Sequence, residues 1–490
     1  MFLSPYKIIK YQLYLLQLEN YELGRYLKLL FKKGFWPKGE QRKDLVWTVK
    51  VRGLFILSVL THFLIPVAIF LYLSYGLSVF SIKYLVLGSL VFISLFYLYF
   101  ILFTLYIILL FPLDWIVKKT IIARAKSKIK SASWRTKSKI SIIGIAGSYG
   151  KTTMKEVLRQ VLSAKFKVLS TKDSVNTPVG IARFILTEVS DETEIIILEM
   201  GEHYKGDIKA ICKIIQPNIV VVTGINEAHL ERMGSKKNIV DTIFEIVENA
   251  KENSLCFLNG DDKNIEKNYK NYVLPNQEIK KFQISNFKLK KFNTESLYWE
   301  CEVEGLGQIK INLLGEYALG DVDCVVKIAR GLGMTNEKIK LGIEHIKPVE
   351  HRLSPLPRAD NILVIDDAYN GNSVGVKEAI KVLGQFKNRR KIYITPGLVE
   401  TGVMAESVHL EIGKQLAGVA DVVILIRNSV TGYIEVGINE SSKYQVASSQ
   451  GGKPEVICFN TAKEAHMALP HILKPNDVIL FQNDWGDQYL

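Results

Sequence analysis

The sequence predicts an α/β protein: a P-loop domain on a mostly parallel sheet, then a Rossmann-like α/β domain, with a two-helix transmembrane hairpin in front. Three observations predict this. From Ile140 onward, short β-branched runs alternate with amphipathic stretches, the rhythm of βαβ units. A glycine-rich turn follows the first of those runs directly. Between Leu54 and Trp115 lie two apolar stretches, each longer than the roughly 20 residues that cross a bilayer.

Residues 1–53 form a basic segment in which Tyr6, Ile9, Leu13, Leu16, Tyr21, Tyr26 and Leu30 recur at roughly helical spacing among lysines. Either an interfacial amphipathic helix on anionic lipid or a solvated helix packed on the rest of the protein fits. Residues 54–113 hold the hairpin, whose short turn Ser81-Ile82-Lys83 puts both outer ends on one side. Lys and Arg crowd both flanks, and 114–139 is a basic juxtamembrane linker. The positive-inside rule then places the protein in the cell membrane with two spans, catalytic domains in the cytoplasm, and membrane lipid as a partner.

Of the 490 residues, 63 are Lys or Arg and 49 Asp or Glu. Residues 1–139 hold 21 of the basic residues and 5 of the acidic ones. The remainder is close to neutral, which excludes a basic nucleic-acid face there. Cys212, Cys256, Cys301, Cys324 and Cys458 form no CxxC pair, so neither a zinc site nor a disulfide scaffold is expected. Eight runs, starting at Ile140, Glu194, Ile219, Leu255, Ile362, Lys391, Val422 and Val478, read as buried parallel strands. A polar stretch from about Asp262 to Glu304 lacks the rhythm and reads as a small β excursion. The boundaries expected are 140–347 for the first domain and 348–490 for the second.

The sharpest chemical signal is Gly144-Ile-Ala-Gly147-Ser148-Tyr-Gly150-Lys151-Thr152-Thr153, after a strand and before a helical run. Backbone amides of such a turn and the helix N-terminus cradle phosphate oxygens; Lys151 neutralises β/γ charge and Thr152 can ligate Mg²⁺. ATP and Mg²⁺ are the cofactors expected.

At this loop the chain resembles the Mur ligases, ATP-dependent amide-forming enzymes of peptidoglycan assembly. Asn176-Thr177-Pro-Val-Gly180 looks like the family's substrate segment. Glu199-Met-Gly201 looks like its Mg²⁺-binding glutamate, and Asn226-Glu-Ala-His229 its next motif, whose His also reaches metal. Glu350-His351-Arg352 looks like the arginine motif of its last domain, where Arg contacts ATP phosphate. Asp366-Asp367-Ala-Tyr369-Asn370-Gly-Asn372-Ser373 and Gly397-Leu-Val-Glu400-Thr-Gly402, followed by His409, resemble the MurF branch, which adds D-alanyl-D-alanine. The resemblance implies catalytic roles for Lys151, His229 and Arg352. It implies nucleotide contacts from Gly147, Ser148, Gly150, Lys151, Thr152, Thr153, Arg352 and Asp366, and metal ligation by Thr152, Glu199 and His229. Substrate contacts would come from Asn176, Thr177, Asp367, Tyr369, Asn370, Asn372 and Glu400. A carboxylate would attack the γ-phosphate, and an amino acid or dipeptide would capture the acyl phosphate.

Three departures from the family pattern stand out. A hairpin occupies the place of the domain that holds the UDP-sugar, so the muramyl-peptide or related carboxylate acceptor could be lipid-linked. Gly315-Glu-Tyr317-Ala-Leu-Gly-Asp321 replaces the usual adenine-contacting motif. Ile243 stands where many members carry a carbamylated lysine for a second Mg²⁺, leaving Glu245 and Glu248 as substitutes. Two other readings are a ligase like the poly-γ-glutamate synthases and a degenerate ligase kept as a nucleotide-binding membrane scaffold.

Overall fold

The computed structural model describes residues 5–19, 23–34, 45–48, 51–56, 58, 112, 114–131, 140–172, 175–202, 204–228, 230–357, 360–369, 371–398, 401–441 and 453–482. It divides into two compact units, residues 1–120 and 121–490.

In the first unit, helices span Pro5–Leu18 and Leu23–Lys33. Ile9, Leu13, Leu16, Tyr26 and Leu30 are buried, while Tyr6 is half exposed, so the periodicity read from the sequence is that of a packed helical face. Gln17 and Val46 exchange two hydrogen bonds of 2.9 Å, side-chain amide to backbone.

The hairpin expected at 54–113 lies almost wholly outside the described residues. Among the described residues no helix is long and apolar enough to cross a membrane. The helix at 114–131, in the stretch expected to be a linker, carries Lys118, Lys119, Arg124, Lys126, Lys128 and Lys130. The expected two-span membrane location, with membrane lipid as a partner, is therefore corrected: no described helix supports it. The linker reading also changes. Ala125 is fully buried, and Ile121, Ile122 and Ile129 pack with it into the core of the following domain. Lys128 Nζ donates to Leu186 O at 2.9 Å.

Among its described residues the second unit holds three sheets. The first joins β1 (Ser141–Ala146), β2 (Val168–Ser170), β3 (Ile195–Glu199), β4 (Ile219–Val222), β5 (Leu255–Asn259) and β6 (Glu278–Phe282) in the order β2-β3-β1-β4-β5-β6, all parallel. Residues of β1, β3 and β4 are buried nearly throughout, as strands covered on both faces must be. The helix Lys151–Leu162 buries Met154, Val157, Leu158, Val161 and Leu162, a single stripe at helical spacing.

The polar stretch leads into a three-stranded antiparallel sheet, β7 (Lys288–Asn293), β8 (Tyr298–Val303) and β9 (Gly307–Ile311). Helix Tyr317–Gly331 follows, and its apolar face closes the core that β7–β9 share with the first sheet.

The last sheet joins β10 (Ser354–Pro357), β11 (Leu363–Asp367), β12 (Lys391–Thr395), β13 (Val422–Ile426), β14 (Glu455–Phe459) and β15 (Val478–Gln482) in the order β10-β11-β15-β12-β13-β14. Only β10 is antiparallel to its neighbour. In the first sheet β2 lies beyond β3 on one side of β1, and β4 lies on the other. Connections thus leave in opposite directions around β1, and open α/β sheets bind ligands outside the carboxyl ends of the strands at such a switch.

Candidate functional site

Residues 147–150 join β1 to the helix Lys151–Leu162 at that switch point. Gly147 (φ 149°) admits no side chain: a Cβ would lie 2.3 Å from Thr223 Oγ1 and 3.0 Å from Gly224 N. Gly150 precedes the helix at φ 78°, without a side-chain cap. The first amides of the helix thus have no intrahelical acceptor and face outward from the loop. Thr223 Oγ1 donates to Tyr149 O, and Ser148 N donates to Gly224 O at 2.8 Å. Tyr149 OH donates to Asp262 Oδ2 at 2.7 Å, and Asp262 also receives Ile225 N at 2.9 Å. The loop is thus held open by its neighbours. Ser148 Oγ is buried with no hydrogen-bond partner among the described residues.

Lys151 Nζ donates to Gly147 O and to Glu202 Oε1, the latter at 2.6 Å. Thr152 Oγ1 donates to Glu199 Oε2 at 3.1 Å, and Lys155 Nζ lies 3.2 Å from the same oxygen. An orphaned hydroxyl, a backbone cradle without room for a Cβ and an ammonium at its mouth fit a nucleotide phosphate. The hydroxyl and carboxylate oxygens of Thr152 and Glu199 are the hard donors that Mg²⁺ takes. Thr153 faces inward, 4% exposed. His229 lies outside the described residues. Among those described, no group of three or more His, Cys, Asp or Glu side chains could hold a metal ion.

Asn176 O accepts from Gly201 N at 2.9 Å, and its side chain lies against Gly201. Thr177 caps the helix Pro178–Glu188 through Gly180 N. In the last domain Arg352 Nη1 donates to Tyr369 O at 2.6 Å, and its guanidinium sits 5.1 Å above the Tyr369 ring. Asp366 Oδ2 pairs with His351 Nδ1 at 2.6 Å, and Asp367 Oδ1 accepts from Leu353 N at 3.2 Å. Burial pushes Asp367 up to about 6, opposed by Arg352 and by the Leu353 hydrogen bond. Asn372 caps the helix Ser373–Leu383 and accepts from Asn226 Nδ2 at 2.9 Å, while Ser373 Oγ donates to Glu227 Oε1. The loop after β4 therefore joins the two domains. Asn370 and Glu400 lie outside the described residues. The loop carrying Glu400 is anchored by His409, whose Nε2 accepts from Leu398 N at 2.9 Å while Nδ1 bonds Ala405 O.

The structure brings Lys151, Thr152 and Glu199 into one cluster and Arg352, Asp366, Asp367 and Tyr369 into another. Tyr317 feels the charges of Asp321, Asp367 and Arg352. Sequence reasoning missed Lys155, Glu202, Tyr149 and Asp262. Lys155 had a signal: it lies four residues after Lys151, one turn along the same helix face. Ile243 is fully buried against the first sheet, so that register cannot present a metal ligand. Glu245 is committed elsewhere, accepting Gly206 N at 2.8 Å and Lys209 N at 2.9 Å in the first turn of the helix Asp207–Cys212.

Asp321 is 6% exposed, and its Oδ2 has no hydrogen-bond partner among the described residues. Burial raises it well above the usual carboxylate range. A carboxyl raised on folding destabilises the fold as pH climbs from its unfolded value toward the folded one. Asp321→Asn is therefore expected to raise the melting temperature at neutral pH, because the amide has no charged form whose burial the fold must suppress. Calorimetry reads it; a lowered melting temperature contradicts the burial argument.

Two family models match the chain: the Mur ligase middle domain over residues 145–321, and the Mur ligase glutamate ligase domain over 351–482. Among curated relatives, the UDP-N-acetylmuramoyl-tripeptide--D-alanyl-D-alanine ligase of Escherichia coli is 25% identical over 292 residues, 58% of this chain and 64% of that protein. The ligase of the same name from Buchnera aphidicola (Acyrthosiphon pisum) is 30% identical over 295 residues, 58% of this chain and 63% of that one. The chain thus spans less than two thirds of the length of these relatives. The crystal structure of MurF from Thermotoga maritima in complex with ADP covers 75% of this chain and 80% of its own at 24% identity, with a TM-score of 0.63. A MurF structure from Acinetobacter baumannii gives 75%, 77%, 21% and 0.62. At these identities the two structures bear on the fold alone.

Proposed function

Because two Mur ligase models match the chain, over residues 145–321 and 351–482, it belongs to the Mur ligase family, and we propose that it is an ATP-dependent, ADP-forming ligase of the MurF type. It would join the carboxylate of a muramyl tripeptide to the amino group of D-alanyl-D-alanine. The observation that carries the reading is the phosphate loop with Lys151, beside the adjacent oxygens of Thr152 and Glu199. We take 140–347 as the nucleotide domain and 348–490 as the domain that brings the incoming dipeptide.

In this reading the loop amides and Ser148 hold the nucleotide phosphates, and Lys151 turns from Glu202 to the β/γ oxygens. Thr152 and Glu199 would hold Mg²⁺, with His229 as the third ligand that the family resemblance implies, and the ion would supply charge stabilisation at the transferred phosphoryl group. The carboxylate oxygen attacks phosphorus and ADP leaves; the amine then attacks the acyl carbon and phosphate leaves. Arg352, fixed by Tyr369, brings a guanidinium from the last domain to the developing charge. The bonds from Asn226 to Asn372 and from Ser373 to Glu227 hold that domain against the nucleotide domain, which excludes water from the activated acyl group. Asn176, Thr177, Asp367, Tyr369, Asn370, Asn372 and Glu400 are the substrate contacts in this reading, although Thr177 and Asn372 also cap helices.

The test is ADP release by the purified full chain with D-Ala-D-Ala and a UDP-linked muramyl tripeptide, beside a lipid-linked one. ADP formed only with both substrates, and with the UDP-linked acceptor, is the expected result. Binding of nucleotide without acceptor-dependent turnover would favour the scaffold reading instead.

A further inference from the structure

We propose that Glu202 sets the nucleotide affinity of the phosphate loop and makes it depend on a divalent cation. This rests on the nucleotide-site reading above. Glu202 lies three residues beyond Glu199, after the end of β3, and is 2% exposed. Its Oε1 is 2.6 Å from Lys151 Nζ, the ammonium that the nucleotide phosphates need. One turn further along the same helix, Lys155 and Glu199 form a second buried pair at 3.2 Å, their side chains 1% and 7% exposed. Two lysines at the loop are thus matched by two carboxylates. The positive charge a phosphate loop ordinarily offers is largely cancelled before any ligand arrives.

Two consequences follow from elementary electrostatics. A phosphate must compete with Glu202 for Lys151, because one ammonium cannot sit at hydrogen-bond distance from both without bringing two anions together. Once the phosphate has the lysine, the Glu202 carboxylate remains at its side in a largely water-excluded position, where like charges repel far more than in water. A divalent cation held by Glu199 and Thr152, whose oxygens are 3.1 Å apart, would restore the balance by adding two positive charges to the site. Nucleotide and cation therefore enter favourably together and poorly apart. The carboxylate makes the loop selective for the metal-loaded nucleotide, and the uncomplexed form is rejected by charge.

Glu202→Gln tests this, because the amide keeps the shape and can still accept from Lys151 but carries no charge. ADP binding by the full chain is measured by isothermal titration calorimetry in excess Mg²⁺ and again in EDTA. The wild-type chain is expected to bind ADP much more weakly in EDTA than in Mg²⁺. In Glu202→Gln the affinity in EDTA rises by about tenfold or more while that in Mg²⁺ changes little, so the ratio between the two conditions collapses. Glu202→Asp, which retains the charge, keeps the wild-type ratio. A thermal unfolding curve for each variant shows that the comparison is between folded proteins. An unchanged ratio in Glu202→Gln, or weaker binding under both conditions, overturns the role of Glu202. Failure of the wild-type chain to bind ADP even in Mg²⁺ overturns the nucleotide-site reading, and this proposal with it.

Discussion

Lys151→Met is expected to lower ADP formation by about 100- to 1000-fold, the size of effect seen when a preorganised charge aimed at a transition state is removed. Among the described residues the lysine has no counterpart at the mouth of the loop. Lys155 is turned to Glu199 and is 1% exposed, so it cannot substitute. The structure adds a second effect. Removing Lys151 takes away an ammonium that lies 2.6 Å from the Glu202 carboxylate, itself 2% exposed, and breaking one side of a buried pair costs up to roughly 3–5 kcal/mol. Lost turnover in the single variant therefore mixes chemistry with stability. Lys151→Met combined with Glu202→Gln separates them: the double variant should regain the wild-type melting temperature and remain inactive. Turnover near the wild-type rate in the folded double variant would remove Lys151 from the phosphate site.

How much of this could be read from the chain alone depends on what fixed each feature. The parallel strands were legible because burial on both faces forces continuous β-branched runs, and Ile195–Glu199 and Ile219–Val222 are such runs. The phosphate loop was legible because a backbone cradle tolerates only glycine at Gly147 and Gly150. Glu202 and Asp262 were not. Their roles come from contacts with Lys151 and Tyr149, 51 and 113 residues away in sequence, and no local pattern announces a pairing at that range. Asp321 was noticed only as a departure from a family pattern; that its Oδ2 lacks a partner is a fact of packing. The basic linker shows the opposite error: its run of lysines and arginines made a strong local signal, yet Ile121, Ile122, Ala125 and Ile129 belong to a protein core. Basic residues on one face of a helix do not say what its other face meets. Thr177 and Asn372, singled out as substrate contacts, also cap helices, and threonine and asparagine are favoured at that position for purely local reasons.

Activity is expected to fall about tenfold per pH unit below an apparent pKa near 6, and Asp367 is the source. Asp367 ends β11 and accepts Leu353 N at 3.2 Å. His351 and Leu353 both have positive φ, 58° and 46°, so the turn carrying Arg352 between them is strained and needs an anchor. The ionised carboxylate is that anchor, and it also faces the Arg352 charge. Burial raises Asp367 to about 6, with Arg352 and the Leu353 hydrogen bond pulling the other way. Protonation therefore loosens the turn, and with it the guanidinium, within a range that assays reach. Stability responds with the opposite sign. A carboxyl raised on folding is more easily protonated in the folded state, so its ionisation costs stability as pH rises from about 4 to about 6. Falling activity together with rising stability on acidification identifies a group that is buried for function. Asp367→Asn should flatten both limbs and leave activity low at every pH, because an amide is a weaker acceptor for Leu353 and carries no charge toward Arg352. Arg352→Met should move the stability limb to higher pH, since the opposing cation is gone. An acid limb that survives in Asp367→Asn would assign it to another group and detach Asp367 from the placement of Arg352.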